Sequence, residues 1–443
     1  MFSKLRFKNF RSFNTIELDL THKNGEPKHL AVIYGENGTG KSNLMSGFVL
    51  LRELMETMNI RDIYQEILNN TISNDDMDKR MRQSIMYQMR DMKAIIDDYR
   101  MVSNSDPIIA EYEFMINGSK GIYRVEFGED EIIYERLEYL LNHRRGTYFE
   151  CIPGKIKLNN EIVKDKDLLA DIKAAAKRYW GKHSILAIIM HELYDKSKSY
   201  ASDNISTNLK EVIAEFNLVS CYIGIGNRRW DELNTPYDVF EKPIKGELAI
   251  EEEKQLDMAE FILSSFFSAI NSDIRRATYI KTVLTDKIKY HLYFEKVIAG
   301  ELRQIDFNRE STGNHQLVHI LFFLLSACMG DVIVIDEADA GIHDVLFLKI
   351  VKEIASFVSG QIIMTTHNTM LMEADFAREA TYILSEETSG YKQIRCVSAY
   401  EKRLYQNNNI RNKYLNNEYS GLPQINSIDF ESLIGKINEC LEN

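Results

Sequence analysis

Eight consecutive residues, Gly35-Glu36-Asn37-Gly38-Thr39-Gly40-Lys41-Ser42, have the types and the spacing to hold a triphosphate. They fit G-x-x-x-x-G-K-[ST] without a mismatch. The glycines let backbone N–H groups turn inward around phosphates, Lys41 carries a point charge toward the β and γ groups, and the Ser42 hydroxyl can ligate Mg²⁺. At the usual glycine frequency of about 7%, such a match arises by chance in about one or two chains per hundred of this length. The contacts expected from the loop are Gly35, Asn37, Gly38, Gly40, Lys41 and Ser42.

Three further stretches could complete a hydrolytic site. Val332-Ile333-Val334-Ile335 is an apolar run that ends in Asp336 and Glu337. A buried parallel strand reads in this way, and ligands bind at its carboxyl end. There Asp336 can hold a Mg²⁺ shell and Glu337 can polarise an attacking water as general base. Gln361 to Thr366 is a second such run, ending in His367. Finally, Ser311-Thr312-Gly313-Asn314 precedes the apolar helical stretch His315 to Ala327, and Ser and Gly at a helix N-terminus make an anion-binding surface. One chain already has its own phosphate loop, so the economical occupant of this second surface is the nucleotide of another subunit.

The elements that must position these residues are partly legible. His29 to Tyr34 has strand character, and Leu44, Phe48, Leu51, Met55 and Met58 recur at helical spacing after the loop. Phe2, Leu5, Phe7, Phe10, Phe13, Ile16, Leu18 and Leu20 alternate with polar neighbours, which predicts an antiparallel pair leading into the loop. Residues 43 to about 100 read as a helical excursion carrying Met77, Met81, Met86, Met89 and Met92, with turn signals at Asn69-Asn70 and Ser73 to Asp76. Strands are expected at 108–116, 121–127 and 132–140, helices near 167–195, 207–218 and 247–273, and strands again at 279–284 and 288–297. Cys221 to Asn227 and Pro236 to Pro243 read as loops, and Gly224-Ile225-Gly226 is too short for a dinucleotide fingerprint.

Composition narrows the classes. The chain has 443 residues, 44% hydrophobic and 27% charged, ordinary for a soluble globular protein of two or three domain-sized units. A net charge of −12 does not support a uniform grip on nucleic acid, although a local basic groove remains open. The cysteines at 151, 221, 328, 396 and 440 form no C-x-x-C pair and no metal-ligand spacing, as in reduced cytosolic proteins. No apolar h-region opens the chain and no apolar run of 18 residues occurs, so a cytoplasmic protein without a membrane span is expected.

The block Lys8-Asn9-Phe10-Arg11-Ser12-Phe13, followed by the phosphate loop, resembles the opening of RecF-like and SMC-like ATPases. By that likeness Arg11 lies near the nucleotide; otherwise it is an exposed strand residue. The order of loop, Ser311 to Asn314, acidic strand and His367 resembles an ABC-type ATPase head, a mixed α/β P-loop fold with an antiparallel lobe and helical insertions. The resemblance implies ATP and Mg²⁺ as ligands and a homodimer or higher oligomer with composite sites. Ser311 and Gly313 would contact the γ-phosphate across the interface, with Asn314 where Gln is usual and Thr312 where Gly is usual. It also implies that Ala338 to His343 is the D-loop, with His343 where Asp is usual, and that His367 is the switch histidine. The coupling glutamine of such heads is unassigned, since Gln65, Gln83 and Gln88 all fall in the helical excursion. No heptad series is long enough for an SMC arm.

On this reading residues 1–51 and 101–164 form an ATPase lobe, 52–100 a helical insertion, 165–275 a second helical insertion or lobe, 276–400 the lobe with the signature, acidic strand, D-loop and switch histidine, and 401–443 a helical tail. Ile410 to Pro423 resembles the arginine, tyrosine, glycine and proline pattern of ATPases in bacterial abortive-infection and other anti-phage systems, such as the PARIS ATPase subunit and the Septu and retron ATPases. The alternative for that stretch is a surface helix followed by a turn. After His367 little room remains for the TOPRIM nuclease that OLD-family proteins carry there. The expected partner is therefore a separate effector such as a TOPRIM or HNH nuclease encoded nearby, with a phage protein as trigger. The competing expectation is a RecF-like or SMC-like maintenance ATPase that clamps DNA.

Overall fold

The computed structural model describes residues 1–73, 90–194, 196–225, 228–387, 389–400, 409–422 and 429–441. Met77, Met81, Met86, Met89, Gln83, Gln88, Gly226, Asn227 and Pro423 lie outside the described residues.

A mixed sheet carries the site. Its strands are β3 (Leu30–Tyr34), β9 (Ser220–Ile225), β10 (Arg228–Glu232), β15 (Val332–Ile335), β16 (Gln361–Thr365), β17 (Thr381–Glu386) and β18 (Lys392–Cys396), in the order β10-β9-β15-β16-β3-β17-β18. The five inner strands are parallel, and β10 and β18 close the two edges as antiparallel hairpin partners. Alternate residues feed two cores: Ala31, Ile33, Val332, Val334 and Ile363 join one, and Val32, Tyr34, Ile333, Ile335, Ile362 and Met364 join the other. Burial on both faces is why these strands must be continuously apolar.

The first core lies between this sheet and an antiparallel one. The latter consists of β1 (Phe2–Phe10), β2 (Phe13–Asp19), β4 (Ile108–Ile116), β5 (Ser119–Phe127), β6 (Ile132–Leu141), β7 (Arg144–Ile152) and β8 (Lys155–Leu158), in the order β2-β1-β4-β5-β6-β7-β8. Its inward residues alternate with polar outward ones, so Tyr112, Phe114, Tyr123, Val125, Leu137 and Tyr139 are buried while Glu111 pairs with Arg124 and Glu138 with Arg145 on the other face. The helix Lys41–Ser73 crosses this core closely. A Cβ on Gly47 would stand 2.2 Å from the Phe7 ring, and the Tyr112 hydroxyl donates to the Gly47 carbonyl at 2.6 Å.

The second core is closed by the helices Lys254–Ile270, Thr312–Cys328 and Asp344–Ile354. It is also closed by a small antiparallel sheet of β11 (Lys245–Ala249), β12 (Ile274–Val283), β13 (Lys287–Ile298) and β14 (Glu301–Asp306). No helix among the described residues is long and apolar enough to cross a membrane.

Several sequence expectations need correction. Cys221 to Ile225 is a strand rather than a loop, because it pairs in parallel with β15 and takes its regularity from that neighbour. The expected helix at 247–273 begins at Lys254, with Lys245–Ala249 forming a strand instead. Leu54, Met55 and Met58, assigned above to an insertion, belong to the buried part of the helix that starts at Lys41. Strands β7, β8 and β14 escaped notice, since their outward residues are charged along much of their length.

Candidate functional site

Adjacent parallel strands release their chains on one edge, and three of the stretches named above emerge there. The register puts Ile335 beside Met364 and Thr365 beside Ile33, so the loops after β15, β16 and β3 leave side by side. After β3, Asn37 and Gly38 are exposed at the tip of the phosphate loop, Ser42 is half-buried and the helix begins at Lys41. Its first N–H groups and its dipole make that end attractive to anions. Gly38 and Gly40 take φ of +85° and +106°, and a Cβ at Gly40 would meet Ser12 Oγ at 2.7 Å. The Lys41 ammonium donates to the carbonyls of Gly35 at 2.8 Å and Glu36 at 3.2 Å. Burial lowers its pKa from the ordinary value, and the negative charges of Asp336, Glu337, Asp339 and Glu36 oppose that shift. The loop lysine and the acidic strand thus share one electrostatic neighbourhood.

Thr365 fastens the carboxylates. Its hydroxyl donates to Asp336 Oδ1 at 2.5 Å and accepts the backbone N–H of Glu337 at 2.8 Å. Asp336 is buried, whereas Glu337 is exposed with φ of +51°, a conformation that costs a residue with a side chain about 1–2 kcal/mol. His367 is exposed one strand away, and its backbone N–H donates to both Asp339 oxygens at 3.3 Å. The Tyr34 hydroxyl donates to the Asn368 carbonyl at 2.9 Å, tying the end of β3 to the turn after His367.

The Ser311 to Asn314 segment stands against the Ala338 to His343 stretch at Gly341. A Cβ at Gly313 would lie 2.6 Å from the Gly341 carbonyl, so glycine is required for this approach. Ser311 is exposed and caps its helix by accepting the Asn314 N–H at 3.2 Å. The Asn314 amide donates to Glu310 at 2.7 Å, and Glu310 pairs with Lys296 at 3.2 Å. His343 caps the next helix by accepting the Val345 N–H at 3.3 Å.

A family model described as "AAA ATPase domain" matches residues 1–372. The chain belongs to that ATPase family. No curated protein matches it. Among solved structures, an SMC head bound to the C-winged helix domain of ScpA is similar at 15% identity and a TM-score of 0.41, covering 89% of this chain and 96% of that one. The SMC head domain from Thermotoga maritima is similar at 14% identity and a TM-score of 0.38, covering 89% and 98%. The Smc head domain with an extended coiled coil bound to the C-terminal domain of ScpA, from Pyrococcus furiosus, is similar at 14% and 0.39, covering 89% and 95%. Likeness at this level decides nothing that the strand order has not already shown.

Within this ATPase the structure gives contacts to residues that the sequence left without a role of their own. Thr365 and Asp339 hold the acidic edge, as described. Lys392, from the hairpin at the far side of the sheet, has its ammonium 3.4 Å from the Gly38 carbonyl and 5.9 Å from the centre of the Phe13 ring. A lysine in a distant edge strand gives no sequence signal for such a place. Arg11, with φ of +50°, lies over the Tyr99 ring at 4.7 Å and pairs with Asp98 at 3.5 Å. Its neighbour Ser12 lies against Gly40 of the loop, and its hydroxyl accepts from Asn43, in the first turn of the helix that follows, at 2.9 Å. A concavity of about 790 Å³, lined by Arg52, Leu218, Tyr237, Met329 and Asp331 among others, lies at the amino end of β15, away from this edge.

The donor set suits Mg²⁺. It offers the Ser42 hydroxyl and the Asp336 carboxylate, hard oxygens of the kind that this ion takes together with substrate phosphates and water. Among the described residues no group of three His, Cys, Asp or Glu side chains could hold a metal, so nothing there competes as an all-protein cage.

Proposed function

We propose that this ATPase is a subunit of a bacterial anti-phage system, in which two or more copies close around ATP and closure controls a separate toxic effector such as a TOPRIM or HNH nuclease. A phage protein would be the trigger. The observation that carries the nucleotide part is the convergence of Lys41, Asp336, Glu337 and His367 on the carboxyl edge of adjacent parallel strands. Gly35, Asn37, Gly38, Gly40, Lys41 and Ser42 would cradle the phosphates, and Ser42 and Asp336 would hold Mg²⁺. When bound, the ion would neutralise charge on the β- and γ-oxygens. Glu337 is the proposed general base toward water, its side chain exposed beside a backbone that Thr365 fixes. His367 is the proposed γ-phosphate sensor. Ser311, Gly313 and Asn314 would complete the site of a second copy.

The defence reading rests on the C-terminal stretch, a short helix, Ile410–Leu415, followed by a turn, whose side chains reach the site's own loops. Arg411 donates to Thr369 at 3.2 Å and pairs with Glu373 at 2.9 Å, in the turn that follows His367. Tyr414 packs on Tyr34 with ring centres 5.8 Å apart. A change at His367 would therefore reach this segment through direct contacts, giving closure a route to a partner-facing surface. Purifying the chain together with the products of neighbouring genes, with ATP, tests the reading: a stoichiometric effector whose activity follows nucleotide state supports it, and its absence counts against it.

One observation favours the second reading, a DNA clamp. Residues 153–182 hold eight basic and four acidic side chains in a chain of net charge −12, and Lys155, Lys157, Lys164, Lys166, Lys177, Arg178 and Lys182 are exposed. DNA binding that stimulates hydrolysis and weakens steeply with salt would favour this reading over the first.

A further inference from the structure

The acidic edge and the helix that begins at Ser311 are joined by one side chain. Tyr222 lies on β9, directly beside β15, and its carbonyl accepts the backbone N–H of Asp336 at 2.8 Å. Its hydroxyl donates to Gln316 Oε1, also at 2.8 Å, and both side chains are buried. Gln316 is on the helix Thr312–Cys328, about 7.5 Å along the axis from Ser311. The phenol ring is held on three sides: His319 stacks at 6.2 Å, Phe323 meets it edge-on at 5.8 Å and the Arg229 guanidinium lies 4.2 Å over its face.

A buried hydrogen bond between two separately anchored elements is satisfied in only a narrow range of their relative positions, and breaking it leaves a polar group without a partner. We infer that Tyr222 and Gln316 form a strut that sets Ser311 and Gly313 relative to Asp336, making both positioning residues for closure of the composite site. The strut rests on the proposal that two copies close on ATP. It supplies a link between the metal-side carboxylate and the helix that faces the neighbouring subunit. Neither residue is among those proposed to hold the nucleotide of its own chain, so the strut acts on association and turnover and leaves first binding alone.

The test uses the full-length protein with Tyr222→Phe, Gln316→Met and the double variant, each also in a Glu337→Gln background to suppress hydrolysis. Thermal unfolding, affinity for Mg-ATP, ATP-driven association by light scattering and kcat are measured. Each single change strands one buried polar group and lowers the melting temperature; the double change removes both partners and recovers most of it. The strut predicts that all three variants bind ATP within twofold of the parent, while association and kcat stay at least fivefold lower even in the double variant. Recovery of association and kcat along with stability would reduce the bond to a structural one and overturn the inference, as would singles that associate and turn over normally. Failure of the Glu337→Gln parent, with Tyr222 and Gln316 intact, to associate in ATP would remove the composite-site reading first and the strut with it.

Discussion

The two ends of β16 show how differently one strand can use its polar groups. At the amino end, Gln361 is fully buried, accepts the N–H of Phe2 at 2.9 Å, and donates to the carbonyls of Phe2 and Lys28 at 2.9 and 2.8 Å. The two bonds to Phe2 join the antiparallel sheet to the central one, the bond to Lys28 fixes the segment that enters β3, and Gln361 itself is regular strand. At the carboxyl end, Thr365 holds Asp336 and the N–H of Glu337, yet Glu337 and His367 are exposed and Glu337 is in the left-handed region. One end satisfies its groups internally and contributes stability. The other holds charges close together with a strained backbone, the usual mark of a site meant for a ligand.

The comparison predicts a clean separation of effects. Glu337→Gln should lower hydrolysis by about 10²–10⁴-fold, the range for removing a general base, while ATP affinity is retained and the closed assembly accumulates. A phosphate-release assay beside light scattering checks it, and equal turnover in the variant would remove Glu337 from that role. Lys41→Ala should weaken ATP binding by about 100-fold through loss of charge-assisted contacts, read by calorimetry.

At the opposite end, Gln361→Leu strands the N–H of Phe2 and two carbonyls. It should cost about 3 kcal/mol in chemical denaturation, at about 1 kcal/mol per orphaned group, with ATP affinity unchanged below the transition. A loss of affinity matching the loss of stability would show that the two ends are not independent. Thr365→Val sits between these cases. It should lower kcat about tenfold by releasing Asp336 and Glu337 while costing about 1–2 kcal/mol, because it touches both the fold and the edge.

Much of the carboxyl edge could be read from the chain alone, since its strands are buried on both faces and therefore uninterrupted in apolar character. Val332–Ile335 and Gln361–Thr365 each announce themselves, and the phosphate loop is a contiguous motif. What stayed hidden depends on pairing between distant segments. Cys221 to Ile225 contains Gly224 and has strand form because β15 lies beside it, so Tyr222 gave no hint of its bonds to Asp336 and Gln316. Thr365 looked like the last residue of a strand, and Lys392 like a surface lysine on a hairpin. Arg11 gave no hint of its own contacts for a local reason: its left-handed backbone carries the side chain over Tyr99.

The smallest effect asks whether strain at Glu337 is real and local. Glu337→Ala and Glu337→Gly remove the same carboxylate, so both should lose hydrolysis alike. They differ in what the backbone tolerates at φ of +51°. Alanine keeps the steric penalty of the left-handed conformation, while glycine escapes it but has more freedom to lose on folding. The two terms oppose each other, and a net advantage of about 0.5–1 kcal/mol for glycine over alanine is expected, read as a melting temperature higher by about 1–4 °C. If glycine proves no more stable than alanine, the edge relaxes without its side chain, and the strain resides in the contacts of Glu337 rather than in the main chain that Thr365 holds.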